Sequence, residues 1–221
     1  MQGIADELDL PGVAPSRQKR SRETTLALLK AGADMLRKRS LAELSIETLC
    51  AEVGATVGAF YSRFESKDAY FNALMALAAR DGERRIADMA ADRSGRDADL
   101  TARCRQLVRG VISWMRAHEG VLRAALQHDD NRPDKWTPFK ALARGNTERA
   151  TPLLLPAMGK GRRAAKSRAI AFGFQVVLGT LINAILNDPG PLSLHDRELE
   201  ERLSQLLLQV LQAEMQAQVW R

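Results

Sequence analysis

A glycine two residues ahead of a threonine constrains this chain more than any other feature. Apolar residues at helical spacing, Ile46, Leu49, Cys50 and Val53, run up to Gly54, and Thr56 then opens a second short run through Phe60. Glycine stops helices because it takes positive φ without a Cβ penalty. Threonine starts them by accepting a hydrogen bond from the free N–H groups of the first turn. Two short helices, one after Ser45 and one after Thr56, are thereby joined by a turn of three or four residues, a helix-turn-helix outline. Ahead of them, Leu26, Leu29, Ala33 and Leu36 make the inner stripe of a helix over 22–38 capped by Ser21. Behind them, Ser66 starts a long helix with Tyr70, Phe71, Leu74, Leu77 and Ala78 on its inner face, and Phe60 and Phe64 face inward against Leu49 and Val53.

The remainder reads as helix too. Aromatic residues are 5% of the sequence, and strands enrich aromatic and β-branched residues, so the expected fold class is all-α. Helical spacing recurs over 100–118 (Leu107, Val111, Ile112, Trp114), in a short helix at 119–128, over 142–155, through the uncharged run 169–187, and over 199–217. Ser94 and Gly95 mark a break within 88–99. Pro11, Gly12 and Pro15 with no apolar periodicity make residues 1–20 a flexible leader ending in Arg17, Lys19, Arg20 and Arg22. The expected division is that leader, a helix-turn-helix domain over 21–67, and a larger helical domain over 68–221.

Several classes of function fall away. Cys50 and Cys104 belong to no CxxC or Cys/His cluster, so neither a disulfide framework nor a zinc site is expected. Cys50, beside Leu49 and Val53, reads as a small core residue, the alternative being a redox sensor. No glutamate lies three residues before any of the three histidines, and HExxH, GxSxG and P-loop patterns are missing. No enzyme, cofactor or metal is therefore expected. His118, His128 and His195 read as surface or loop residues, and His128-Asp129-Asp130 lacks a partner ligand. The run 169–187 is just long enough for a bilayer, but Gln175, Gly179 and Asn183 line one face, which suits a helix buried between protein surfaces. The preceding Lys160, Arg162, Arg163, Lys166 and Arg168 read as a solvated helix start. No apolar signal segment stands near the N-terminus, so a cytoplasmic, non-membrane protein is expected. The net charge of +6 suits a polyanionic partner.

Gly54, Thr56, Gly58, Tyr61, Phe64, Ser66 and Lys67 stand at one further, specific spacing. By it the chain resembles the tetracycline-repressor (TetR) family of bacterial transcription regulators over about a quarter of its length. A helix beginning at Val57 is thin enough to enter a major groove roughly 12 Å wide. Gly58 and Ala59 add little bulk, and Thr56 with the first-turn N–H groups can meet a phosphate. The resemblance implies phosphate contacts from Ser45, Thr56, Tyr61 and Lys67, and base-edge contacts from Val57, Gly58, Ala59 and Arg63. Val57 and Ala59 depart from the long or polar residues common in the family; they can touch a thymine methyl but cannot hydrogen-bond a base. Polar reading is left to Ser62, Arg63 and the basic arm 17–22, which either reaches the minor groove or is a solvated tail.

One recognition helix covers only a few base pairs, so a homodimer on a near-palindromic double-stranded DNA operator is expected. Its surfaces are assigned to 169–187 and 199–217, through Val177, Leu181, Ile185, Leu203, Leu206 and Val210. The resemblance implies the same arrangement and a small-molecule inducer bound in the C-terminal body. Trp114, Met115, Phe139, Phe172, Phe174 and Gln175 are the candidate lining residues, plain core being the alternative.

Overall fold

Side-chain caps set where these helices begin. In the computed structural model, which describes residues 10–14, 18–91, 99–127 and 137–217, Ser45 Oγ accepts from the Thr48 N–H at 3.2 Å. Thr56 Oγ1 likewise accepts from Ala59 at 3.1 Å, and Ser66 Oγ from Ala69 at 3.0 Å. Eight α-helices result among the described residues: α1 Lys19–Leu36, α2 Ile46–Glu52, α3 Val57–Tyr61, α4 Lys67–Ala91, α5 Leu100–Gln127, α6 Thr137–Leu154, α7 Arg163–Asn187 and α8 Arg197–Ala217. A 3-10 turn, Pro156–Met158, follows α6. The helices expected at 100–118 and 119–128 are one, α5, with a non-helical residue at His118 (φ −113°, ψ 16°). Arg17, the break at Ser94 and Gly95, and the His128-Asp129-Asp130 group lie outside the described residues.

Two compact units divide the chain, Met1–Arg80 with His118–Pro138, and Asp81–Ala117 with Phe139–Arg221. The division does not fall at the expected 67/68. Helix α4 runs on to Arg80 in the first unit, and the C-terminal part of α5 belongs there as well, because Gly120 lets it approach the end of α1. A Cβ on Gly120 would lie 2.5 Å from Leu36 C and Arg37 N.

Within the first unit α1 buries Thr25, Leu28, Leu29, Gly32 and Leu36, a face turned slightly from the expected stripe, which leaves Leu26 and Ala33 half-buried. Tyr70 is the cause: its ring stands over Gly32, whose added Cβ would fall 1.7 Å from the phenol oxygen, and its O–H donates to Leu28 O at 2.7 Å. Phe60, Phe64 and Tyr70 close the core with ring centroids 4.9–5.3 Å apart. Burial pushes the Tyr70 phenol well above its usual range. Part of the expected leader is anchored here. Leu10 is buried, Val13 forms an antiparallel bridge with Phe64, and Ala14 N–H donates to Arg63 O at 2.8 Å. Helix α1 also starts earlier than expected, so Ser21 lies inside it and is no cap.

In the second unit α7 and α8 pack along one another. Their buried residues are Lys166, Ile170, Gly173, Phe174, Val177, Leu181, Ala184 and Ile185 on α7, and Leu199, Leu203, Ser204, Leu207 and Leu211 on α8. Gly173 admits Leu207, whose Cδ1 is 2.5 Å from where a Cβ would stand. Val177, Leu181, Ile185 and Leu203, assigned to a dimer surface, are therefore interior to the protomer, and Leu206 and Val210 are half-buried. The most apolar face of α7 meets its own chain, and the face left outward carries Phe172, Gln175, Gly179 and Asn183. The expected solvated basic stretch also has an exception: Lys166 is buried and its ammonium donates to Gly159 O. Arg116 ties α5 to the segment before α8 by donating to Leu194 O at 2.8 Å and Asp196 O at 3.2 Å.

Candidate nucleic-acid interface

The turn ahead of α3 closes as its residues dictate. Gly54 has φ +66°, its N–H donates to Ala51 O at 3.2 Å, and the next N–H, of Ala55, reaches back to Cys50 O at 2.9 Å. This pair of bonds satisfies the last carbonyls of α2 and needs a left-handed residue at position 54. Leu49 and Phe60 are buried behind the turn, so α3 presents its other side outward.

That outward side is composed as the sequence predicts. Thr56, Val57, Gly58, Tyr61 and Ser62 are exposed, and Ala59 is half-buried. Val57 at 36% and Tyr61 at 52% are unusual among the large apolar residues described, nearly all of which are covered. Gly58 has no internal reason to be glycine, because a Cβ there would meet only Thr56 Oγ1 at 3.9 Å. Thr56 Oγ1 spends a lone pair on the Ala59 N–H, and its own O–H has no acceptor among the described residues. A donor, a short helix N-terminus and bare backbone thus share one face.

Three expected contacts stand differently. Arg63 is turned back into the unit: it donates to Ser21 O at 3.4 Å, to Ser21 Oγ at 3.1 Å, to Ser62 Oγ at 3.1 Å and to Ala59 O. It clamps the end of α3 to the first turn of α1 and leaves base-edge reading to others. Ser45 donates its O–H to Glu47 Oε2 at 2.7 Å, so its hydroxyl hydrogen is committed and a carboxylate stands beside it. Lys67 donates to Ala42 O at 3.2 Å from a half-buried position.

Sequence reasoning missed what the Arg63 clamp brings alongside α3. The first turn of α1 carries Lys19, Arg20 and Arg22, has no acidic residue, and its N-cap Gln18 makes no side-chain hydrogen bond. Cations at a helix N-terminus oppose the macrodipole, so the arrangement is stabilised by an anion placed nearby. The basic run was legible in the sequence; its helical conformation and its tie to α3 were not. Both cysteines are buried and free, and burial raises both thiols above their usual range, Cys104 to about 12. Neither is poised for redox chemistry.

Of the candidate ligand-lining residues, Trp114, Met115, Phe139 and Phe174 are buried, and the Trp114 and Phe139 rings meet at 6.3 Å. Phe172, 56% exposed, and Gln175 point outward and do not share that interior.

Comparison with known proteins agrees with this geometry. Residues 28–74, spanning most of α1 through the first part of α4, match the family of bacterial regulatory proteins described as the tetR family. No curated protein matches the whole sequence. Solved structures do. A tetR-family transcriptional regulator from Streptomyces coelicolor superposes with a TM-score of 0.64 at 18% identity, over 88% of this chain and 82% of that one. A transcriptional regulator from Cytophaga hutchinsonii gives 0.61 at 14% identity, over 88% and 97%. A gamma-butyrolactone receptor gives 0.52 at 19% identity, over 89% and 100%. The matched turn, the exposed α3 face and the shared all-α fold together place this chain in the tetR family of DNA-binding transcriptional regulators.

Proposed function

We propose that the protein is a ligand-responsive repressor that binds a near-palindromic operator as a homodimer, with α3 of each protomer in a major groove. The observation that carries this reading is the outward face of α3, where Gly58 opens onto empty space between exposed Val57 and Tyr61. Thr56 O–H and the first-turn N–H groups meet phosphate, Val57 and Ala59 touch thymine methyls, and Tyr61 contacts the backbone. Lys19, Arg20 and Arg22 flank this face and add sequence-independent affinity.

Two such heads need a fixed spacing near 34–36 Å or a multiple of it, which a dimer supplies. The exposed α7 face of Phe172, Gln175, Gly179 and Asn183, with half-buried Leu206 and Val210 of α8, is the surface offered to a second copy. Gly179 resembles Gly58 in having nothing within 4 Å of an added Cβ, so its bareness serves a neighbour's approach. A small molecule in the second unit favours the conformer that cannot bind the operator, and DNA weakens its binding by the same factor. That a gamma-butyrolactone receptor shares the fold supports a receptor role for the unit.

Selection of bound fragments from the native genome tests the reading. A near-palindromic site is expected, with log K falling by about 0.9 per neutralised phosphate for each unit of log salt. Enrichment of no sequence over background, at any salt concentration, would refute it.

A further inference from the structure

Among the described residues, Thr25, Asn146, Lys166 and Ser204 are the polar or charged residues that are buried. Three of them have evident partners. Thr25 Oγ1 donates to Ser21 O at 2.9 Å, Ser204 Oγ to Glu200 O at 2.7 Å, and the Lys166 ammonium to Gly159 O. Asn146, only 8% exposed, has no hydrogen-bond partner among the described residues. A primary amide has two N–H donors and a carbonyl acceptor, and leaving all of them unpaired indoors costs stability, so native proteins pair or occupy such groups.

The surroundings of Asn146 are apolar. It stands in the middle of the buried stripe of α6, with Phe139 and Leu142 before it and Ala150 and Leu154 after it. Leu142 lies against Gly82 and Trp114: a Cβ on Gly82 would be 2.7 Å from Leu142 Cδ2 and 3.0 Å from Trp114 Nε1. The charged residues of α6, Lys140, Arg144, Glu148 and Arg149, are all exposed. An ionised guest would meet no counter-charge on this stripe, and burying an unpaired charge is far costlier than burying a neutral polar group.

We propose that Asn146 is the polar contact for a neutral, largely apolar small molecule taken up by the second unit, one carrying a hydroxyl, amide or ester. This deepens the ligand-responsive reading above and rests on it. The apolar stripe holds the body of the molecule, and the amide meets its single polar group by donating to it, accepting from it, or both.

The test uses the full chain and probes of equal chain length. Octanamide, 1-octanol, octanoate and octylammonium are titrated calorimetrically, with thermal midpoints recorded alongside. Octanamide or 1-octanol is expected to bind at least tenfold more tightly than either ion, and Asn146→Leu to weaken the neutral probes about tenfold. Asn146→Leu should also raise the midpoint of the unliganded protein, because an unpaired amide is removed. Asn146→Ala, which adds no bulk, should show the same loss of neutral-probe binding. Unchanged neutral-probe affinity in both variants, equal binding of the ions, or no binding of either neutral probe would overturn the proposal. Operator affinity measured with and without octanamide separates the two readings. Asn146-dependent binding that leaves DNA affinity untouched keeps the site and defeats the ligand-responsive repressor, whereas release of DNA that is identical in both variants does the reverse.

Discussion

Helices α3 and α7 lie in different units, yet each leaves a large apolar residue outdoors beside a glycine that nothing inside the chain requires. On α3 these are Val57 and Tyr61 around Gly58; on α7 they are Phe172 and Gly179. What differs is the charge around them. The end of α3 is clamped by Arg63 to the turn that holds Lys19, Arg20 and Arg22. The outward middle of α7 carries only the uncharged Gln175, Thr180 and Asn183. Bare backbone framed by cations suits a polyanion, and bare backbone framed by neutral groups suits another protein surface. Exposed apolar area alone says that something docks; the charge beside it says what kind of thing.

The sharpest way to break this contrast is to fill both glycines. Gly58→Leu puts a side chain into open space, so the thermal midpoint should hold or rise while operator affinity falls on the order of 100-fold. Fluorescence anisotropy with the selected fragment reads the loss, and retained affinity would detach α3 from the groove. Gly179→Glu should likewise leave folding intact but shift the sedimenting species from dimer to monomer and weaken operator binding at least tenfold. Glycines that do have an internal reason must behave differently. Gly120→Ala forces a Cβ onto the backbone of Leu36 and Arg37, and should lower unfolding free energy in urea by about 1–3 kcal/mol. Smaller still, Arg20→Ala should reduce the slope of log K against log salt by about 0.9 with no change in the preferred sequence.

The smallest effect concerns the caps of the first unit. Hydrogen bonds from Ser40 hold Glu43 below its ordinary value of 4.5, and one from Ser45 does so for Glu47. A carboxyl whose folded pKa lies below its unfolded one gives stability that is complete above the unfolded value. That stability is lost as pH falls through the folded value. NMR titration should find both carboxyls half-protonated below pH 4.5, and Ser40→Ala should move Glu43 back up.

Much of this was legible beforehand because it is local. Ser45, Thr56, Ser66 and Gly54 act within four residues of themselves, so caps and turn followed from the chain alone. What the sequence hid depends on partners far along it. The buried face of α1 is turned by Tyr70 reaching Gly32, Arg63 is drawn to Ser21, and Leu10 and Val13 are held against the helix-turn-helix. The dimer residues were misassigned for a related reason. An apolar stripe on α7 announces burial but not whether its own chain or a second one provides it, and here Leu207 of the same chain meets Gly173.

Photo-crosslinking tests the central claim most directly. A benzophenone side chain replacing Val57, and in a second variant Phe172, is irradiated in the presence of the selected duplex. The account predicts that position 57 joins to DNA and position 172 to a second copy of the protein. A bound duplex that never crosslinks to position 57, while position 172 captures it, would contradict the assignment of α3 to the groove.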